Sequence, residues 1–156
     1  MKLIKKFRVG AVLMVFAICV SGWALPHDTL KFDYFGDIKC EDEMARLDNL
    51  AVNLHSAPDR KAVIIFYGGR RFRGRLPQRG EAAARAARLR TYLVQRRGIP
   101  SDRVVLIDGG YAEEWHAEVW VIPAGATMPS PQPTIPVEKI RFRKGKPNPR
   151  NYECQI

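Results

Sequence analysis

The spacing of the hydrophobic positions changes along the middle of the chain, and each spacing predicts a different element. Residues 30–34 alternate between apolar and charged side chains, the period of two that is typical of a half-exposed strand. Residues 41–56 place apolar side chains three and four positions apart, which predicts an amphipathic helix. Residues 62–67, AVIIFY, are apolar throughout and predict a strand that is buried on both faces.

A second helix and two further strands follow the buried strand. Residues 81–97 are helix-forming almost without interruption, and Gly98 and Pro100 end the helix. Residues 104–107 and 115–122 are short apolar stretches that predict two more strands. Strands that alternate with helices favour parallel pairing through right-handed crossovers. We therefore expect an α/β two-layer sandwich of order β-α-β-α-β-β, with a mixed sheet, both helices on one face, and a hairpin between the last two strands.

Both ends of the chain differ in composition from this central part. Residues 1–24 combine four cations, a twelve-residue apolar stretch and small residues before Leu25, which is typical of a cleaved secretory signal peptide. The apolar stretch is shorter than the ~20 residues of a membrane span, so we expect none in the mature chain; an uncleaved anchor is the alternative. Residues 25–122 would form one domain. Residues 123–156 hold seven of the eleven prolines and predict a basic, extended and solvated tail.

The positive charge of the chain is concentrated in one segment. The net charge of +10 falls to +6 when the four cations of residues 1–24 are removed. Residues 68–99 contain ten arginines and a single acid, Glu81, whereas the segments on either side are net acidic. Such a patch usually binds nucleic acid, which an exported protein rarely meets. We therefore expect no nucleic-acid partner, and we expect an anionic component of the cell envelope.

The sequence contains no arrangement of residues that indicates a catalytic or metal site. The three histidines lack the spacing of metal ligands, and there is no H-E-x-x-H motif, nucleophile elbow or Walker phosphate loop. Glu113 and Glu114 could act as an acid–base pair, although solvated carboxylates in a charged turn are the simpler interpretation. We expect a protein that is not an enzyme and that uses no metal or cofactor. An exported enzyme that depends on Glu113 or Glu114 is the alternative.

Two cysteines, Cys40 and Cys154, remain once residues 1–24 are removed. An even number of cysteines in an oxidising compartment suggests a disulfide. This disulfide would tie the end of the tail to the start of the first helix. Two free thiols or a link between molecules are the alternatives, since geometry decides between them.

Four stretches of the central region resemble the OmpA-like family of peptidoglycan-associated domains. They are FDYFGDI, LDNLAVNL, AVIIFYGG and RAARLRTYLVQRRGIPSDRVVLIDGG, and the resemblance covers about residues 30–122. The family's helix signature is R-A-x-x-V-x-x-Y-L, followed by G-I and a basic residue. It is matched here by Arg85, Ala86, Tyr92, Leu93, Gly98, Ile99 and Arg103, with Leu89 at the V position. The resemblance implies the β-α-β-α-β-β fold, a periplasmic or outer-membrane-associated location and binding to peptidoglycan.

The resemblance also implies where a ligand would bind. The family holds the diaminopimelate of cell-wall peptides with the arginine of its R-A pair, here Arg85, and with an aspartate at the end of the second strand. Arg70 and Arg71 stand where that aspartate is expected, so an ammonium group would be repelled there. The expected ligand-binding residues are Arg70, Arg71, Arg85, Arg88 and Tyr92, with a solvated helix face as the alternative for Arg88.

Arg70, Arg71 and Arg85 would repel one another if they lay together, so we expect an anion or a nearby acid between them, with Asp108 and Glu113 as candidates. Two functions agree with these features. The first is an exported, non-catalytic domain that associates with peptidoglycan or a related anionic wall component through the arginine-rich loop and helix. The second is a basic interaction module of the same fold that binds an anionic polymer or an envelope protein and has lost peptidoglycan binding.

Overall fold

The computed structural model describes residues 29–148 and Tyr152. The protein is α/β, and its elements follow the predicted order: β1 Leu30–Phe35, α1 Cys40–Ser56, β2 Arg60–Arg71, α2 Glu81–Thr91, β3 Val104–Glu114 and β4 His116–Pro123. A π-helical turn, Tyr92–Arg96, extends α2, and short 3-10 turns occupy Ser101–Arg103 and Val137–Lys139. The signal peptide predicted for residues 1–24 lies outside the described residues.

The four strands form one mixed sheet in the order β1-β4-β2-β3. Ile64 in the central strand β2 pairs with Leu106 of the parallel strand β3 and with Val119 of the antiparallel strand β4. The predicted hairpin between β3 and β4 is wrong, because these strands lie on opposite sides of β2. The chain crosses from β3 to β4 at Trp115, whose backbone N lies only 2.6 Å from where a Cβ on Gly69 would stand. The missing side chain at Gly69 makes this crossing possible.

Both helices pack against the same face of the sheet. Alternate residues of a strand point to opposite faces, and the even-numbered residues of β2 contact the helices. The fully buried side chains of this layer are Leu47, Leu50, Leu54, Leu89, Leu93, Ile64 and Val119. The apolar spacing in α1 and α2 thus forms the main core, as the sequence predicts.

The tail covers part of the opposite face of the sheet. Val63 and Ile65 of β2 are fully buried in a second apolar cluster, so the prediction that this strand is buried on both faces is confirmed. The tail contributes to this side, where Ala126 packs against the second apolar cluster. Ile135 and Ile140 are both buried. The tail is therefore extended, as predicted, but it is not solvated along its whole length, because the second face of the sheet needs an apolar cover.

The end of the tail returns to the start of α1. The carbonyl of Tyr152 accepts a hydrogen bond from Nη1 of Arg88 at 2.5 Å, and Arg88 also pairs with Glu43 in the first turn of α1. Cys40, the first residue of α1, is disulfide-bonded. Cys154 lies outside the described residues, so its pairing with Cys40 stays a prediction. No helix among residues 29–148 has both the length and the apolar character that a membrane crossing requires.

Candidate functional site

The start of α2 fixes the position of Arg85. Gly80 precedes the helix with a left-handed φ of 81°, which glycine adopts without a steric penalty. The carboxylate of Glu81 then accepts the backbone N–H of Gln78 at 2.7 Å, so the first turn is held from inside the protein. Arg85 lies four residues after Glu81 and therefore on the same side of the helix. This side faces inward, and both side chains are buried.

The guanidinium of Arg85 lies between two aromatic rings. Its central carbon is 3.7 Å from the ring centre of Phe72 and 3.9 Å from that of Trp115. The Arg85 side chain is only 4% exposed, so the rings replace most of its solvent. Cation–π contacts are strongest when the cation is desolvated, and a planar guanidinium stacks well on aromatic faces. The two rings therefore fix the plane in which Arg85 offers its N–H groups.

Asp37, in the connection between β1 and α1, supplies the acid next to Arg85. Its Oδ1 accepts Nη2 of Arg85 at 3.0 Å. Its carboxylate also accepts Arg73 through Nε at 2.9 Å and Nη2 at 3.2 Å, and this contact raises the pKa of Arg73. Burial lowers the pKa of Arg85 to about 10, while the Asp37 carboxylate acts in the opposite direction. Arg85 thus remains protonated at neutral pH, and Asp37 binds two arginines at once.

Two buried donors in this region have no acceptor. Nη1 of Arg85 and Nε1 of Trp115 are both buried and form no hydrogen bond among the described residues. Both groups can only donate, so only an acceptor can satisfy them. A buried donor without a partner costs about 1–3 kcal/mol, and more when it is charged. An acceptor atom that reached either N–H group would recover part of that energy.

Arg85 and Trp115 line a tight inner pocket with an accessible volume of about 10 Å³, room for about one water molecule. Its walls are Gly68, Gly69, Phe72, Pro77, Gln78, Glu81, Ala82, Arg85, Tyr111 and Trp115. The two glycines belong to β2 and not to the loop that the sequence suggested. A Cβ on Gly68 would lie 2.5 Å from the Tyr111 ring, so the absence of side chains at this end of β2 lets β3 and Trp115 approach. The glycine pair is thus a packing feature of the strand.

Arg70 and Arg71 line a separate outer pocket of about 520 Å³, which shares only Phe72 and Trp115 with the inner pocket. Arg70 pairs with Glu113 at 3.1 Å, and Nη1 of Arg71 donates to the Gly74 carbonyl at 3.0 Å. The expected cluster of Arg85 with Arg70 and Arg71 is therefore divided by Phe72 and Trp115. The arginine that joins Arg85 at a common acid is Arg73, which the sequence did not single out.

Arg88 and Tyr92 line neither of these two pockets. Arg88 pairs with Glu43. Burial raises the pKa of this carboxyl above its usual value, and the Arg88 charge offsets only part of that rise. The Tyr92 hydroxyl donates to Asp48 at 2.8 Å, and Arg97 binds the same carboxylate. These contacts join α2 and its π-helical extension to α1. Ligand binding by Arg88 or Tyr92 stays a prediction, and Arg88 does not lie on a solvated face.

The acids expected near the arginines are placed differently. Glu113 lies beside Arg70, as proposed, but on the exposed rim of the outer pocket. Asp108 accepts the backbone N–H of Gly110 at 2.9 Å and so stabilises a turn within β3. Asp37 is the residue that sequence reasoning missed. Its place directly after the predicted first strand, in FDYFGDI, was the available signal, because strand ends carry many binding residues.

The site offers N–H donors from Arg85 and Trp115 and a carboxylate from Asp37 to charged or hydrogen-bonding groups. Within residues 29–148, no three histidine, cysteine, aspartate or glutamate side chains are grouped to hold a metal ion. A scan against protein-family models and a search of curated proteins each find no match to this chain. Its membership of the OmpA-like family therefore stays a prediction from sequence resemblance.

Proposed function

We propose that this protein is a non-catalytic, OmpA-like binding domain of the cell envelope and that Arg85 holds a carboxylate of peptidoglycan. The unsatisfied N–H groups of Arg85 and Trp115 carry this proposal. A carboxylate is the acceptor whose shape fits an arginine fork, and its second oxygen can take the indole N–H. The stem peptides of peptidoglycan present such carboxylates in the compartment to which residues 1–24 would direct the chain.

Asp37 extends the proposal to the neighbouring charge on the ligand. Arg70 and Arg71 occupy the family's aspartate position in the sequence, which argued against an ammonium group there. The fold, however, brings the Asp37 carboxylate within 3.0 Å of Arg85 from a different connection. A ligand that carries a carboxylate beside an ammonium would bind Arg85 through the carboxylate and Asp37 through the ammonium. The ammonium would replace the exposed Arg73 as the partner of Asp37.

Ligand entry requires the turn that carries Phe72 to move, because Phe72 covers Arg85. This turn is short: Phe72 and Arg75 exchange two backbone hydrogen bonds, of 2.8 and 3.0 Å. Arg73 at its tip has a φ of 47°, an unfavourable value for a residue with a side chain. The ion pair of Arg73 with Asp37 offsets part of this strain. Release of Arg73 from Asp37 would therefore free the turn.

The experiment is a titration of wild-type protein and variants with soluble peptidoglycan fragments that contain diaminopimelate. Arg85→Ala should weaken binding by about 1.5–3 kcal/mol, the scale of a hydrogen bond to a charged group. Trp115→Phe keeps the aromatic face and removes only the indole N–H, so it should cost about 0.5–1.5 kcal/mol. Arg96→Ala is the control, because Arg96 is exposed and lies about three turns further along the helix.

Thermal unfolding of each variant separates loss of binding from loss of the fold. Trp115→Phe is the safer test, since Arg85→Ala also removes a cation from beside Asp37. Equal losses for Arg85→Ala and Arg96→Ala, or full affinity in Trp115→Phe, would refute the site. No binding of fragments by the wild-type protein would refute the function.

The ion pairs around Arg70 favour the binding function at Arg85 over the two alternative functions. Binding of a polymer beside Asp37 would use Arg70 and Arg73, but each already pairs with an acid. An enzyme dependent on Glu113 would need a carboxyl shielded from water, whereas the Glu113 side chain is 71% exposed and pairs with Arg70. We therefore retain the binding function at Arg85.

A further inference from the structure

The loop before α2 and the tail form a second basic surface, distinct from the Arg85 pocket. The backbone N–H of Arg143 donates to the Pro77 carbonyl at 3.0 Å, and its Nε donates to the Leu76 carbonyl at 3.0 Å. Nε2 of Gln78 donates to the Lys144 carbonyl at 3.4 Å. Residues 139–146 are thereby fixed beside residues 75–79. We call the cations of these two segments the basic strip: Arg75, Arg79, Lys139, Arg141, Arg143, Lys144 and Lys146.

The cations of the basic strip differ from the other arginines and lysines in their partners. All seven are exposed, and none forms an ion pair with a carboxylate in the described part of the chain. Elsewhere in residues 29–148, seven arginines and lysines do pair with acids. Glu138, next to Lys139, is the one acid within residues 137–147. Backbone hydrogen bonds therefore hold like charges close together. Their mutual repulsion raises the free energy of the folded protein, and an anionic partner would reduce that repulsion.

We propose that the basic strip docks on an anionic phospholipid surface. Clusters of four to eight lysines and arginines bind such surfaces through the summed attraction of separate head groups. Val137, adjacent to Lys139, is 42% exposed and provides an apolar side chain that can enter the head-group region. The basic and apolar residues of 1–24 would bring the chain to a membrane, so the surface and its partner would meet.

The aromatic residue of the strip argues against single-stranded nucleic acid as the partner. Phe142 lies beneath the guanidinium of Arg79, 4.4 Å from the ring centre, and its edge contacts Tyr111 at 5.6 Å between ring centres. Its face is therefore covered, whereas proteins that bind single strands offer open aromatic faces on which bases stack. A surface of exposed cations without such a face fits monovalent phosphate head groups better.

The experiment is co-sedimentation of the processed, exported protein with vesicles of phosphatidylcholine alone or mixed with phosphatidylglycerol. Lys144→Gln/Lys146→Gln removes two strip charges and leaves the backbone contact of Lys144 in place. The variant should bind mixed vesicles about 25-fold more weakly, since each cation contributes about five-fold. The matched control, Lys39→Gln/Arg96→Gln, removes two exposed charges elsewhere and should bind like wild type. Added salt should weaken binding of the wild-type protein.

Three outcomes would overturn the docking proposal. Equal weakening by the two double variants would show a response to net charge alone. Equal binding to both kinds of vesicle would point to an apolar contact, such as retained residues 1–24. Tighter binding to a nucleic acid than to mixed vesicles would identify the wrong polyanion. Titration with peptidoglycan fragments should give wild-type affinity for Lys144→Gln/Lys146→Gln, so failure of this proposal and failure of the Arg85 site are separate results.

Discussion

Arg85 is a buried cation, and its neighbours compensate for the free energy of removing it from water. Removing an ion from water costs several kcal/mol unless nearby groups compensate for it. Here the compensation comes from three directions: the rings of Phe72 and Trp115 on its two faces and the Asp37 carboxylate at its edge. The remaining N–H of Arg85 is then the place where a ligand can add a hydrogen bond, once Phe72 has moved away from the guanidinium.

The lowered pKa of Arg85 makes ligand binding sensitive to alkaline pH. The pKa of about 10 lies below that of arginine in an unfolded chain, so at pH values between the two the unfolded chain holds more protons. The contribution of this group to the free energy of unfolding therefore rises with pH, whereas its attraction for a carboxylate disappears. We predict that affinity for wall fragments falls as the pH rises through about 10.

Calorimetric titration from about pH 8 to about pH 11, with circular dichroism to monitor the fold, tests this prediction. Trp115→Phe keeps the Arg85 guanidinium and should show the same midpoint at lower overall affinity. Affinity that is constant up to about pH 11 would mean that Arg85 does not hold the carboxylate.

At the scale of elements, the tail has a structural role that its composition conceals. Seven prolines in residues 123–149 exclude regular helix or sheet, and they led to the expectation of a solvated tail. An extended chain can still bury individual side chains, and Ile135 and Ile140 do so. The tail thus buries apolar side chains of its own although it forms no regular helix or sheet.

We predict that Ile140→Ala lowers the free energy of unfolding by about 2–3 kcal/mol, the lower part of the range for buried isoleucine, because an extended tail can relax around the cavity. Val137→Ala is the matched control and should change stability by less than about 0.5 kcal/mol, since Val137 is exposed. Urea denaturation of the two variants provides the measurement. Similar small effects in both would show that the tail does not contribute to the cooperative core.

At the scale of the whole molecule, the uneven charge of the sequence is largely compensated by folding. The arginine-rich segment 68–99 lies between two acidic segments, and five of its arginines pair with acids from these segments. The pairs are Arg70–Glu113, Arg73–Asp37, Arg85–Asp37, Arg88–Glu43 and Arg97–Asp48. The exposed pairs Arg70–Glu113 and Arg97–Asp48 contribute little stability individually. The five pairs nevertheless compensate half of the arginines of this segment, whereas Arg75 and Arg79, which belong to the basic strip, have no acid partner among the described residues.

The disulfide prediction also belongs to the whole molecule. Cys40 is disulfide-bonded, and Tyr152, two positions before Cys154, lies beside the first turn of α1 through Arg88. We predict that Cys154 is the partner of Cys40. The bridge would close a loop of about 114 residues, and breaking it should cost up to about 4–5 kcal/mol. Peptide mapping of unreduced protein should find the two cysteines linked.

Cys40→Ser/Cys154→Ser provides the control for this measurement, because it should unfold at the same denaturant concentration as the reduced wild-type protein. A peptide that links Cys40 to Cys19, or to a second chain, would contradict the intramolecular bridge. Equal stability of oxidised and reduced protein would mean that the tail is already held by its other contacts.

The order and type of the elements were available from the sequence, because local spacing of apolar residues reports which face of a strand or helix is buried. The same information identified α1, α2 and the doubly buried strand β2. It also drew attention to Arg85 through the R-A pair that resembles a family signature. These features depend on residues that are neighbours in the chain.

The hairpin was wrong and the tail is only partly solvated for a common reason, since each depends on residues far apart in the chain. Strand order depends on where the chain can cross β2, and the bare backbone at Gly69 permits the crossing at Trp115. Asp37 reaches Arg85 across 48 positions only because the connection between β1 and α1 lies beside α2 in the folded protein. Local sequence determined the elements, whereas tertiary packing decided which charges were neutralised and which donors were left for a ligand.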